Sequence, residues 1–598
     1  MASPLSLSAG FERNTNTFLW DLTGASTLRS SSWRLSAQNR FQRSLIKAGG
    51  ESLKDQNSFN LESSADLFRN AELRSAVTSF SFTDNRVLGL NNLTTTRALV
   101  GVSWKLFDMV QFTPMVGYSI DNQQGIRDDG FSYSMQTQLA GLDLGQATAR
   151  SEFVLSAEHI SPRYQYDHRG SAEISARIGE NSVNTASVNY RENRREYYQN
   201  AADIVLDQAI PIESRREQSI SVRDMLQYAV FKSVSLLASM DLSQRNIWKN
   251  RNTAEAGSST PYFSTFISEF TLNTSAQLVY ASERTRGTIR LDHNERDEFH
   301  ELNPQVGTLP ADVIRQMRLE EQKNNSIRQI QLGIDLSRSF GRSDTLSMSG
   351  ALLKMQYDTP SEENFDDRDE IIFLTGLRWA RRFSTEFSAS LYGDLAMRHT
   401  VYIFSQRSAN NTWNRVLRLA PSGELRLSQS FVSKNAAELV ANYTVYDFED
   451  AAQGQRSFSL RQLSLTDSTA MRLHGSLWID AALHLRWYER GELRWAAFTV
   501  RPVQFFQEQT FSLALRRREN NWDVSVGVRY FEQRRYRYAG NQRFPDAQLT
   551  NYGPTVQIQC TFFERSRIVV DGWYQLTDEA GRPKRSTPNV LLHTTWYL

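Results

Sequence analysis

The sequence predicts an all-β chain closed into a single large antiparallel up-and-down transmembrane β-barrel of about 28 strands, within a range of roughly 24 to 30. Three observations carry this. Apolar and polar residues alternate with period two in one segment after another, as expected of strands whose successive side chains point to opposite faces. The joins between segments alternate between short and long. No Pro/Gly-rich linker divides the 598 residues into sandwich-sized units, so 1–598 reads as one barrel domain.

Taken in order, Ser3 to Glu12, Thr17 to Leu22, Ser31 to Arg43 and Phe59 to Leu67 are short, weakly patterned strands. Alternation then sharpens. Ala98, Val100, Val102, Trp104 and Leu106 share a face, and a tight connection at Phe107-Asp108 leads to Val110–Ile120. In Ala147–His159, Phe153, Leu155 and Ala157 oppose Arg150, Glu152 and Ser156. The same contrast separates Ile330, Leu332, Ile334 and Leu336 from Gln329, Gln331, Asp335 and Ser337. It separates Leu391 and Leu395 from Glu386 and Asp394, and Leu473, Leu477 and Ile479 from Arg472 and Asp480. Val524, Val526 and Val528 continue it against Ser525 and Arg529. Long joins are expected at 293–325, 359–368, 533–552 and 577–588, and short ones at 340–342, 381–384, 519–521 and 564–565. Within the longest join, Thr308 as cap, Pro310 in the first turn, and Val313, Ile314 and Met317 at helical spacing predict a helix over 308–324. That helix either lies on the surface or folds into the barrel mouth.

The last ten residues define how the sheet ends. Val590, Leu592, Thr594, Trp596 and Leu598 fall on one face of a strand that runs to the last residue. A free terminal strand is an exposed edge, and closing the sheet gives it a neighbour on both sides. An amphipathic final strand with an aromatic near its end resembles the closing strand of bacterial outer-membrane β-barrels. Val590, Leu592, Trp596 and Leu598 are then the barrel-closing residues, although Leu598 stands where that family usually has Phe or Trp. The resemblance implies a Gram-negative outer membrane, short periplasmic turns and long extracellular loops. Met1-Ala2-Ser3-Pro4-Leu5 has neither the basic nor the long apolar region of a secretory signal, which stands against that address.

Composition narrows the function classes. No apolar run is long enough for a transmembrane helix. Lys+Arg 68 against Asp+Glu 66 gives no nucleic-acid footprint. The one cysteine, Cys560, excludes a disulfide framework and any haem-attachment motif. No cofactor, metal-ligand spacing or catalytic motif is present, and the chain reads as a non-enzyme. The candidate functional residues are instead the charges of the inward face: Arg150, Glu152, Glu386, Asp394, Arg472 and Asp480. Arg194, Arg195 and Tyr197, with Arg534, Arg535 and Tyr536, are assigned to outer loops that contact lipopolysaccharide or a partner through bidentate and cation–π interactions.

Size points to function. A barrel of about 22 strands already carries a plug, and no compact globular segment precedes the first strands here. The expected role is a wide channel or sheath whose lumen is filled by infolded loops or a partner protein. In size and lack of a plug it is similar to the barrel sheaths of porin–cytochrome conduits, which implies a multihaem cytochrome as one such partner. The alternatives are a structural or adhesive anchor for a surface complex, and a soluble multi-sandwich protein.

Overall fold

Twenty-eight antiparallel strands, β1 to β28 in chain order, form one sheet that closes on itself. The computed structural model describes residues 5–47, 50–85, 91–107, 109–198, 212–252, 264–303, 310–449, 457–562 and 566–597. Closure is made by β1 (Ser6–Asn14) pairing with β28 (Arg585–Tyr597), in register from Ser6 opposite Tyr597 to Arg13 opposite Val590. The aromatic near the chain end packs: Trp596 meets Phe562 edge-on at 4.6 Å. Val590 and Leu592 share its face, while Leu598 lies outside the described residues. In hydrocarbon an unpaired backbone group costs several kcal/mol, so a spanning sheet must have no edge.

Both termini lie at one rim, here the terminal rim. Every join there is two to four residues long. Joins at the opposite, loop rim range from Pro162 alone to the stretch 304–324. Alternation of join length therefore holds only over part of the wall: the loop-rim joins at 15–16, 48–50, 124–125, 162, 495–498 and 540–541 are as short as those of the terminal rim, and some joins expected to be long are strand. β15 (Thr285–Asn303) runs ten residues past His293, and β16 starts at Asn325. β25 (Trp522–Ala539) and β26 (Gln542–Phe562) pair almost to their ends across 540–541, so most of 533–552 is strand. The predicted helix is α1 (Pro310–Glu321); its expected start at Thr308 lies outside the described residues.

Register carries one polar face around the whole wall. Asp241 opposes Arg223 and Asn273, and Asn294 opposes Gln329. Glycines on that face show that it is the concave one. A Cβ on Gly117 would lie 1.8 Å from the Ala98 carbonyl oxygen, and one on Gly130 1.9 Å from that of His159. The wall bends sharply here over β6 (Asn91–Leu106) to β9 (Ala147–Ser161), and only a residue without Cβ fits inside such a corner. Gly393, on the other face, has its nearest neighbour at 3.7 Å. The polar face is the lumen.

The convex face carries the apolar residues, including Ile330, Leu332, Ile334 and Leu336 on β16, and Cys560 shares its face with Val556 and Ile558. A contiguous apolar surface on the outside of a closed barrel meets lipid. The belt lies toward the terminal rim. On β15 it comprises Ile289 and Leu291, beyond which the outward residues become His293, Glu295 and Asp297. On β25 it ends at Tyr530, followed by Glu532 and Arg534. The strands thus continue above the membrane as a charged crown.

Two substitutions test this assignment of faces. Leu332→Arg should cost about 2–4 kcal/mol in denaturant-refolding equilibria, the price of a cation at mid-membrane depth, whereas Gln331→Arg on the lumen side should change stability by under about 1 kcal/mol. Gly117→Val should abolish most of the heat-modifiable folded band on gels, with Gly393→Ala retaining it.

Candidate functional site

The lumen wall is built from cross-strand pairs of Arg with carboxylates, which fold geometry places opposite one another within side-chain reach. Arg150 of β9 pairs with Glu173 of β10 (Arg163–Gly179) at 2.7 Å. Glu152 accepts a hydrogen bond from Gln136 Nε2 at 2.7 Å. Asp394 of β19 (Phe387–Tyr402) receives Arg418 of β20 (Thr412–Ser428) at 2.6 Å. Asp480 lies 3.5 Å from Arg516, which also grips Asp523 at 2.5 Å. Arg472 rests its guanidinium 5.9 Å from the centre of the Trp478 ring. Glu386 is the exception. It sits in the turn 383–386, outside any strand, where Thr385 and Ser384 hydroxyls hold its carboxyl below the ordinary glutamate range. These residues are distributed around the wall and do not converge on one centre.

The expected outer-loop residues also lie in strands. Arg194, Arg195 and Tyr197 belong to β11 (Ser182–Tyr198), and Arg534, Arg535 and Tyr536 to β25. Their strands stay paired because neighbours at least as long flank them and because side-chain contacts within and across strands replace lipid. Arg194 meets Glu196 at 2.5 Å and lies over the Tyr164 ring; Arg534 meets Glu532 at 2.7 Å; Arg535 contacts Asp546. Tyr536 packs its ring 6.0 Å from that of Phe505.

The largest connected feature is one that no single segment of sequence displays. On the lumen face of the crown, Arg215 contacts Glu217 on β12 (Ile212–Phe231) at 3.2 Å. Arg245 of β13 (Val234–Asn252) bridges Glu217 at 2.8 Å and Glu269 of β14 (Ser264–Ala281) at 3.4 Å. Arg296 of β15 joins Glu269 at 2.6 Å to Glu298 at 2.5 Å. His300 Nε2 then reaches Glu298 at 2.7 Å, and its Nδ1 faces Glu320 of α1 at 3.4 Å; Lys323 closes the chain on Glu320 at 2.7 Å. Basic side chains and carboxylates alternate along this ladder, so each member between its two ends has a partner of the other kind on either side. A single exposed pair contributes about 0–1 kcal/mol, and a network fixes geometry better than its members would singly.

The ladder positions α1. Asn324 Oδ1 accepts the His300 backbone N–H at 2.6 Å, Gln322 Nε2 donates to Glu363 at 2.8 Å, and Asn364 Nδ2 donates to the Gln322 carbonyl at 3.0 Å. The helix is thus tied to the lumen face of β15 and to the join 359–367 at the loop rim. Among the described residues, no group of three or more His, Cys, Asp or Glu side chains is arranged to hold a metal.

No family model and no curated protein matches the chain. Solved structures resemble it in fold. The FrpB iron transporter from Neisseria meningitidis is 10% identical over 78% of this chain and 79% of its own, with a TM-score of 0.38. The copper transporter OprC is 9% identical over 89% and 82%, TM-score 0.40, and the ferric citrate transporter FecA 9% over 100% and 78%, TM-score 0.36. Identities and TM-scores this low leave the function to the chain's own geometry. The closed wall, its outer apolar belt and its hydrated inner face define the class on their own: a transmembrane β-barrel of the bacterial outer-membrane kind.

Breaking the ladder should free α1. Arg296→Ala and His300→Ala are expected to speed tryptic cleavage after Arg315, Arg318 or Lys323 in the detergent-solubilised barrel at least fivefold, while leaving its heat-modifiable migration unchanged.

Proposed function

We propose that the barrel is a sheath: a wide hydrated conduit through the outer membrane, its terminal rim in the periplasm, with a separate protein in its lumen for transport or conduction. The observation that carries this is the mismatch between the wall and what the described residues place inside it. A wall of 28 strands, spaced about 4.8 Å and tilted about 40°, has a perimeter of roughly 175 Å. Apart from strands, the described residues form only α1 and a short 3-10 turn at Ser408–Asn410. A helix of 12 residues is about 18 Å long and cannot fill that space. An open hole of this width would abolish the permeability barrier.

The lumen wall suits such an occupant. Its charges are largely satisfied across strands, so it is hydrated and specific without needing a ligand to neutralise it throughout. A multihaem cytochrome is one occupant that fits, and it would bring its own haem attachment, since Cys560 is this chain's one cysteine and stands on the outer face. Lipopolysaccharide would contact the outward side of the crown, where Arg194 lies over the Tyr164 ring and Arg534 stands beside Glu532.

Extraction of the native protein in mild detergent tests the reading. A heat-modifiable, β-rich band that carries a second chain at one-to-one stoichiometry is expected. Purification of the barrel alone, with pore conductance no larger than that of an ordinary porin, would overturn the sheath and leave a channel closed by its own loops.

A further inference from the structure

One arc of the lumen wall gathers cations that lack a carboxylate partner over a recess. Toward the terminal rim, between β15 and β22 (Phe458–His474), Arg286, Arg378 and Arg382 make no ion pair among the described residues, and Lys434 only reaches Glu424 at 4.0 Å. Arg150, Arg223, Arg418 and Arg516 elsewhere on the same face each hold a carboxylate, while Arg34, Arg177 and Arg529 stand singly without one among the described residues. With Arg426, which already holds Glu424 at 2.6 Å, and Arg472, six lumen-face cations here meet two carboxylates, Asp335 and Glu424.

The arc is also recessed. A hollow of about 570 Å³ lies beside a second of about 320 Å³, and Arg378 lines both. Their floors are Ser, Ala and Gly, including Ala380 and Gly376, and several hydroxyls bond one another across strands, as Ser337 to Ser347 at 3.0 Å and Ser390 to Ser422 at 2.8 Å. Small satisfied side chains ask for no ligand of their own and let a surface approach closely. The guanidinium forks around them match carboxylates bidentately.

We propose that this arc is a docking surface for a carboxylate-bearing face of the protein that occupies the lumen, which thereby enters and seats from the terminal rim. The inference rests on the sheath reading and adds to it the chemistry and the position of the contact. Complementary charge of this kind sets orientation and encounter rate more than affinity alone.

The test uses the refolded full-length barrel and poly-L-glutamate as a probe of the surface. Because the three arginines support no other side chain of the wall, Arg286→Glu/Arg378→Glu/Arg382→Glu should still migrate as a heat-modifiable barrel. It should bind poly-L-glutamate at least tenfold more weakly than the unsubstituted protein, and poly-L-lysine should bind neither at this arc. Arg34→Glu/Arg177→Glu, lumen cations of the same rim on β3 (Trp33–Lys47) and β10, should bind the polyanion within twofold of the unsubstituted barrel. Equal poly-L-glutamate binding by the triple variant, or an equal loss in the control, would overturn the docking surface. In native membranes the triple variant should release its co-purifying chain at a salt concentration at which the unsubstituted barrel retains it. Retention equal to the unsubstituted protein would overturn the docking surface and leave the sheath standing; a native barrel with no second chain would overturn the sheath itself, and this inference with it.

Discussion

Backbone hydrogen bonding in hydrocarbon is the constraint from which the rest of the structure follows. Lipid offers no partner for an amide or a carbonyl, so a β-structure can cross a membrane only when its last strand pairs with its first. The pairing of β1 with β28 meets that condition. It fixes the parity of the wall, with both termini at one rim, and it forces every strand to present one face to lipid and one to the interior. Curvature then has to be absorbed somewhere. The inward glycines at 101, 117 and 130 absorb it where neighbouring backbones come closest, which makes those corners as much a part of closure as the hydrogen bonds.

The strands are longer than the membrane requires, and the physics that holds them changes along their length. In the belt, apolar residues on the outer face are stabilised by lipid and the inner face by water and ion pairs. Above it, water lies on both sides. There β10 to β15 and β23 (Leu477–Arg494) to β26 hold together through cross-strand charge and ring contacts, such as Glu192 with Arg216 at 2.8 Å and Tyr488 stacked on Phe506 at 4.5 Å. The ladder from Arg215 to Lys323 is the longest expression of this. It carries the registry of four strands into a helix at the mouth.

The part of this legible in sequence was the part written by lipid. Period-two alternation in segments such as Ile330–Ser337 found the strands, their number and their closure, because hydrophobic contrast between faces is local. It ends where the membrane ends, and so 293–303 and 533–539 read as loop although both are strand. A second signal was present there: opposite charges two residues apart, as in Arg296 and Glu298, Arg215 and Glu217, or Glu532 and Arg534, which share a strand face and pair. The lumen assignments of Arg150, Glu152, Asp394, Arg472 and Asp480 follow from the same parity. Glu386 was misplaced by one turn residue, since alternation before Phe387 continues by chance through Ser384 to Glu386. Trp573 shows the converse. It resembles an interfacial aromatic, yet register puts it opposite Thr555 on the lumen face, beneath the Arg529 guanidinium at 4.6 Å. The partners of the ladder are far apart in sequence, and only the register brings Glu217, Arg245 and Glu269 together.

A lumen this wide poses a problem that a small barrel avoids by filling itself with side chains. Balanced ion pairs solve half of it. They keep the wall hydrated without a strong net field that would draw in either sign of solute. Where pairing is complete, as along the ladder, the wall is electrostatically finished and can be passed over. Where it is incomplete, as around Arg378, folding has left guanidinium groups whose carboxylates the chain itself does not supply. Single lumen cations without a carboxylate among the described residues stand elsewhere too, as Arg34, Arg177 and Arg529 do, but around Arg378 several are gathered over one recess, and that concentration separates the part of the wall that stabilises the barrel from the part that is free to recognise something else.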